Sequence, residues 1–309
     1  MLELTLKRSL EQPVDGSRLS PNLIGTMPLT DLLALPMPSP GNDSIRLDDL
    51  FWVRCLSGPS DLVMLQGDCR QIHGLATQMS GGTLVIDGHA GDRLGTGMYG
   101  GFVLAGGDAG DEVAMGMRGG LLAVSQNAGD RLGAPMPGER SGIRGGDILV
   151  GGSVGSRACE RMRRGTVCVG GRIDDYLAAH MNAGTVLALG PVAGQWGVGM
   201  RRGTLLFAEE PTGPTHASWS SSRSLELSFL PLVWNHLRSI QEQLESISSL
   251  VNRSLWKMLP IPSTRWVERR IGDMNFDGRG EVLMLQRLSS TSSAAISRDQ
   301  DSESPSSHT

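Results

Sequence analysis

The stretch Met79-Ser80-Gly81-Gly82-Thr83-Leu84-Val85-Ile86-Asp87-Gly88-His89-Ala90-Gly91-Asp92 decides the fold, because the chain repeats it. The anchor Met79 returns as Met98, Met117, Ile143, Met162, Met181 and Met200. Each step is 19 residues, except that from Met117 to Ile143, which the segment Pro135-Met136-Pro137-Gly138-Glu139-Arg140-Ser141 lengthens by seven. A shorter, irregular unit precedes the set, around Leu62 to Gln78. A fixed period of this size marks a stacked-repeat architecture.

The chemistry within the unit is consistent. The third residue after the anchor is glycine at all seven positions: Gly82, Gly101, Gly120, Gly146, Gly165, Gly184 and Gly203. A turn with φ > 0, or a close approach to the neighbouring unit, demands that. Two apolar columns follow at alternate positions, one through Leu84, Val103, Leu122, Ile148, Val167, Val186 and Leu205, the other from Ile86 to Phe207. Alternation at period two points both to one face of a strand. A third column (Leu94, Val113, Leu132, Ala158, Leu177, Trp196) supplies an opposite wall. One such unit cannot bury its own apolar face, but a stack at ~4.8 Å spacing can. Nineteen residues leave no room for a helix in each turn. The expected fold is mainly β: a right-handed parallel β-helix of about seven 19-residue glycine-rich rungs.

The flanks differ from the repeats. Residues 1–58 read as a small α+β N-terminal segment, with a strand through Leu2, Leu4 and Leu6 and a brief helix near Thr30–Leu35. The β-helix is expected over 59–210 and a C-terminal extension of helix plus strand over 211–288. Within that extension, residues 225–252 have Leu230, Val233, Leu237, Ile240, Leu244, Ile247 and Val251 at helical spacing. Residues 289–309 are Ser-rich and polar, the composition of a disordered tail.

Composition narrows the function classes. Forty-two glycines in 309 residues and 4% aromatics suit short strands and tight turns. A net charge of -4 gives no nucleic-acid footprint. The four cysteines form no metal-ligand spacing or disulfide framework, no apolar run reaches membrane-spanning length, and no signal peptide opens the sequence. A cytoplasmic chain without membrane or nucleic-acid partners is the expectation.

Candidate chemistry is sparse. The column Asp92, Asp111, Asp130, Ser156, Asp175 offers either a divalent-cation ladder or turn aspartates that accept hydrogen bonds from their own backbone. The neighbouring Arg93, Glu112, Arg131 and Arg157 would help to neutralise it. Arginines also gather just after the anchors: Arg118, Arg144, Arg163, Arg164, Arg201 and Arg202. Stacked like charges invite an anionic ligand or partner, a solvated face being the plainer reading. The six histidines stand at no triad or metal spacing, so no catalytic residue and no metal ligand is expected. The column between the two inward ones (Val85, Leu104, Ala123, Leu149, Cys168, Leu187, Leu206) is apolar too, a stripe that the C-terminal helix and partner proteins could cover.

The repeat resembles the GXGXG β-helix domain of glutamate synthase large subunits. Two flanks narrow the resemblance to the C-type subunit of formylmethanofuran dehydrogenase. One is Gly41-Asn42, Leu47-Asp48-Asp49-Leu50-Phe51-Trp52-Val53 and Gly67-Asp68; the other is Arg270-Ile271-Gly272-Asp273 through Gly278-Arg279-Gly280-Glu281-Val282-Leu283. Arg279 stands where that family has lysine. The likeness runs over residues 40–285. It implies a non-catalytic scaffold that binds no cofactor itself and holds formyltransferase and hydrolase subunits of the A, B and D types. Those partners would carry a methanofuran-type carrier with a glutamate-rich tail and a hydrolase metal centre, or, in the dehydrogenase version, Mo/W-pterin and Fe–S clusters. Arginine-heavy, lysine-poor composition (only Lys7 and Lys257) leans towards the bacterial formyltransferase/hydrolase complex, which takes formyl-tetrahydromethanopterin to formate. A glutamate-synthase-like module in another oxidoreductase is the alternative reading.

Overall fold

The structure, a computed structural model, describes residues 1–41, 45–213 and 215–286. The tail expected to be disordered lies outside them. The chain is mainly β and largely parallel, with little helix. The N-terminal elements are β1 (Leu2–Leu6), β2 (Val14–Asp15), α1 (Pro21–Ile24), α2 (Leu29–Leu33), α3 (Leu47–Leu50) and β3 (Phe51–Cys55). The repeats supply β4 (Leu62–Gln66), β5 (Ile72–His73), β6 (Thr83–Asp87), β7 (Phe102–Ala105), β8 (Leu121–Val124), β9 (Arg144–Val150), β10 (Arg164–Val169), β11 (Thr185–Ala188) and β12 (Thr204–Phe207). Then come β13 (Arg223–Glu226), α4 (Leu230–Leu250), β14 (Trp266–Gly272) and β15 (Gly280–Leu285).

One 13-stranded sheet runs β13-β14-β15-β12-β11-β10-β9-β8-β7-β6-β4-β1-β3 and is antiparallel only at its two ends. The sequence period is its register: Thr83 pairs with Phe102, Phe102 with Leu121, Thr166 with Thr185 and Thr185 with Thr204. The longer step pairs Leu121 with Asp147 and loops out residues 135–141. A second parallel ladder of single bridges runs Cys69-Ala90-Ala109-Ala128-Val154-Ile173-Val192. The chain therefore meets its own previous copy twice per period.

Local sterics explain why the anchors and glycines are paired. The seven turn glycines have φ between 83 and 105. At Gly101 a Cβ would lie 2.7 Å from the Gly82 carbonyl oxygen and 2.7 Å from the Met79 methyl. The anchor side chain thus fills the space that the next glycine leaves, and every anchor is fully buried. The inward columns and the bridge residues form one core.

A second core lies on the other face of the sheet, and it corrects the reading of the intervening apolar stripe. Val85, Leu104, Ala123, Leu149, Cys168, Leu187 and Leu206 are all buried by this chain's own C-terminal elements. Leu230, Trp234, Leu237, Ile240, Leu244 and Ile247 of α4 pack on them, with Trp256 and Val267. The stripe is an internal interface, and no part of it is left for a partner. The C-terminal boundaries shift as well. The helix expected over 225–252 starts at Leu230, with Pro231 in its first turn, because Arg223–Glu226 instead pairs antiparallel with β14. Residues 266–285 form two strands, and β15 adds to β12 in parallel as Thr204 meets Glu281.

Candidate functional site

The turns carry two side-chain ladders, both structural. Asp92 Oδ1 accepts the Asp111 N–H, Asp111 Oδ1 the Asp130 N–H, and Asp130 Oδ1 the Ser156 N–H. The turn composition predicts these bonds to each aspartate's own backbone; the geometry places them on the next rung. A parallel series passes from His89 Nδ1 to the Asp108 N–H, from Asp108 to the Asn127 N–H, and from Asn127 to the Ser153 N–H. Burial pushes the Asp108 carboxyl up, but the bonds from Asn127, with His89 and Arg70 nearby, outweigh it and hold the group below its usual value. The arginines expected to neutralise the aspartates do not: Arg131 pairs with Glu112 at 3.2 Å and Arg157 with Glu160 at 3.1 Å. The aspartates of both ladders are occupied by backbone donors. Among the described residues no group of three or more His, Cys, Asp or Glu could hold a metal ion.

Most of the potentially reactive groups in the repeats are likewise engaged, while Cys55, before them, is exposed. Burial pushes the Cys69, Cys159 and Cys168 thiols up to about 12, so they stay protonated. His73 Nδ1 accepts the Asp92 N–H, and His236 meets Asp147 at 3.0 Å. An open cavity of about 480 Å³ beside Leu189, Pro260, Pro262 and Leu285 is lined by no histidine or cysteine.

The arginines are where charge is left over. Main-chain bonds place Arg118, Arg144, Arg163, Asn182, Arg201 and Arg279 on successive rungs: Arg163 N–H donates to the Ile143 oxygen, Arg201 to Met181 and Arg279 to Arg201. Glu139, from the extra loop, reaches back to Arg118 at 3.5 Å and to Arg144, and so offsets one of the two positive charges at that end of the column. Arg163, Arg164, Arg201, Arg202 and Arg279 are exposed and have no ion pair among the described residues. Neighbouring strands lie ~4.8 Å apart, so Arg201 and Arg279 are close neighbours, while Asn182 sets Arg163 and Arg201 two steps apart, close to the ~10 Å Debye length of 0.1 M salt. Such a ridge attracts an anion bearing several carboxylates or phosphates, which guanidinium forks bind in pairs. Beside it, Phe276 stacks edge-on against His180 at 6.3 Å, and Met274 is 61% exposed. Arg279 joins the ridge because β15 follows β12 in the sheet; only its place in the closing motif pointed to it in the sequence.

Among the described residues no helix is long and apolar enough to cross a membrane. The sequence matches no protein-family model and no curated protein at a significant level. A solved structure does match: the crystal structure of the formyltransferase/hydrolase complex (FhcABCD) from Methylorubrum extorquens in complex with methylofuran. The likeness has a TM-score of 0.75 and 25% sequence identity, and covers 92% of this chain and 100% of the matched one. With its repeats, its closing strand and that coverage taken together, the chain is a homologue of a chain of the formyltransferase/hydrolase complex, in keeping with the C-type resemblance of its flanks.

Proposed function

We propose that this chain is the non-catalytic C-type subunit of a formyltransferase/hydrolase-type complex, a right-handed parallel β-helix that holds formyltransferase and hydrolase subunits together. Full coverage of the matched chain carries the reading, since the likeness includes both flanks as well as the shared rungs. The hydrogen-bonded state of the turn aspartates and of His73, and the burial of Cys69, Cys159 and Cys168, agree with a chain that does no chemistry of its own. In this reading residues 1–58 start the coil, 59–210 form it and 211–288 seal its outer face, and the assembly works in the cytoplasm.

The ridge Arg163, Arg164, Arg201, Arg202 and Arg279 is its contact for an anionic carrier of the methylofuran type. The carboxylates of a glutamate-rich tail would meet guanidinium forks on adjacent rungs, while the carrier's reacting group remains in the partners. Arg118 and Arg144, already engaged by Glu139, take the weaker part.

Affinity purification of the tagged chain from its native host, with mass spectrometry of subunits and metal analysis, tests the proposal. Formyltransferase and hydrolase subunits without Mo or W are the expected result. A metal-pterin and Fe–S partner set would replace the hydrolytic complex by the dehydrogenase; glutamate synthase partners, or none, would overturn the reading.

A further inference from the structure

The two outer edges of the 13-stranded sheet are built differently. At one end β13 carries Arg223 and Glu226 and follows Ser220-Ser221-Ser222, the charged, polar pattern that keeps an edge from pairing. At the other end β3 reads Phe51-Trp52-Val53-Arg54-Cys55, with no proline, glycine or bulge, and pairs with β1 in unbroken register from Leu2↔Cys55 to Leu6↔Phe51. Trp52 on this edge is 63% exposed.

Backbone alternation fixes which groups are free. Lys7 N–H donates to the Leu50 oxygen and Leu56 N–H to the Met1 oxygen. In an antiparallel pair bonded positions recur every second residue, so Trp52 and Arg54 turn their main-chain groups towards β1. Those of Val53 and Cys55, and the Phe51 carbonyl, therefore point outward. The Phe51 N–H is taken by the Leu47 oxygen at the end of α3.

We propose that β3 pairs antiparallel with β3 of a second copy of this chain about a two-fold axis at Val53, joining two sheets into one. The strand is complementary to itself in that register. Val53 meets Val53 of the other copy with both N–H and C=O groups bonded, and each Cys55 N–H reaches the opposite Phe51 carbonyl, the one group Phe51 has to offer. Trp52 falls opposite Arg54 in a non-bonded pair, where side chains approach closest. Lys7 covers one face of the Trp52 ring at 4.4 Å, and Arg54, 73% exposed, has only a 3.9 Å contact to Glu3. The second face of each indole thus receives the guanidinium of the other copy, a cation–π contact made twice. A register shifted by two towards Cys55 would instead set Arg54 against Arg54 of the other copy, like charges directly opposite.

The proposal stands on the edge strand and is independent of which complex the chain serves. Two differently tagged copies of the full chain, expressed together in the native host, should co-purify in one assembly. In a Cys55→Ser background, Trp52→Cys with Arg54→Cys should give, under mild oxidation, a disulfide joining position 52 of one copy to position 54 of the other, mapped by mass spectrometry. Val53→Pro removes an N–H that nothing within the chain uses, so it should abolish both results in a chain that still melts cooperatively, with Val53→Ala, which keeps the N–H, as the control for lost packing on the core. A single copy per assembly, a cross-link to a different protein, or co-purification indifferent to Val53→Pro would each overturn the proposal. Co-purification of the two tags without formyltransferase or hydrolase subunits would support it while removing the proposed function.

Discussion

Asp273 Oδ2 accepts the Gly199 N–H at 3.1 Å, a bond between the closing segment and the last regular rung, 74 residues apart in sequence. The other oxygen accepts Ser218 N–H at 2.9 Å and Asn275 N–H at 3.0 Å, and the carboxylate is fully buried. Asp273 N–H itself donates to the Met200 oxygen. One side chain therefore fastens the rung end, the loop before β13 and the turn before β15. Asp273→Asn turns an acceptor into a donor against these N–H groups and should cost roughly 2–3 kcal/mol. Urea unfolding measures it, and a loss below about 0.5 kcal/mol would show that the turn relaxes without the carboxylate.

Gly101→Ala should destabilise by roughly 3 kcal/mol, since φ is 85 and the added Cβ meets the Gly82 carbonyl oxygen. Gly81→Ala is the matched control, because a Cβ there meets nothing within 4 Å. Thermal melts of the two variants should separate clearly; equal melts would mean that the rung shifts to admit the methyl.

Arg163→Glu combined with Arg201→Glu should raise the apparent KM for the anionic carrier about tenfold with kcat nearly unchanged, as expected when uniform binding is removed. An unchanged KM in an intact complex would remove the ridge from carrier binding.

The Asp108 carboxyl, held below its usual value, contributes stability above the unfolded value of about 4 and loses it as pH falls through the folded one. Wild type should exceed Asp108→Asn by under about 1 kcal/mol at pH 6, the group being partly exposed. The gap should close towards pH 3. A gap that does not vary with pH would trace the effect to packing.

The parallel strands were legible because their constraint is periodic: a glycine that must admit the carbonyl before it, and apolar residues at every second position, recur at the same spacing. Contacts made once per chain were hidden. Nothing at Glu139 announces that it spans Arg118 and Arg144. The ladder from Asp92 to Ser156 was visible as a column, but its acceptors reach the next rung, a distance that composition does not convey. β13 is too short and polar to carry an alternating pattern, and only its pairing with β14 makes it a strand. The arginine column was legible as a cluster, whereas Arg279 became its neighbour through the β12–β15 pairing.

That pairing also sets an order of events. Repeat strands pair with partners 19 residues away, so the parallel sheet can grow as the chain leaves the ribosome. The final strand lies 77 residues beyond its partner, from Thr204 to Glu281, and its loop-closure entropy exceeds that of a rung by roughly 1.2 kcal/mol. Until β15 is synthesised, β12 is an edge strand with open main-chain groups. Arrival of β15, rather than completion of the repeats, is the step that closes this edge against aggregation.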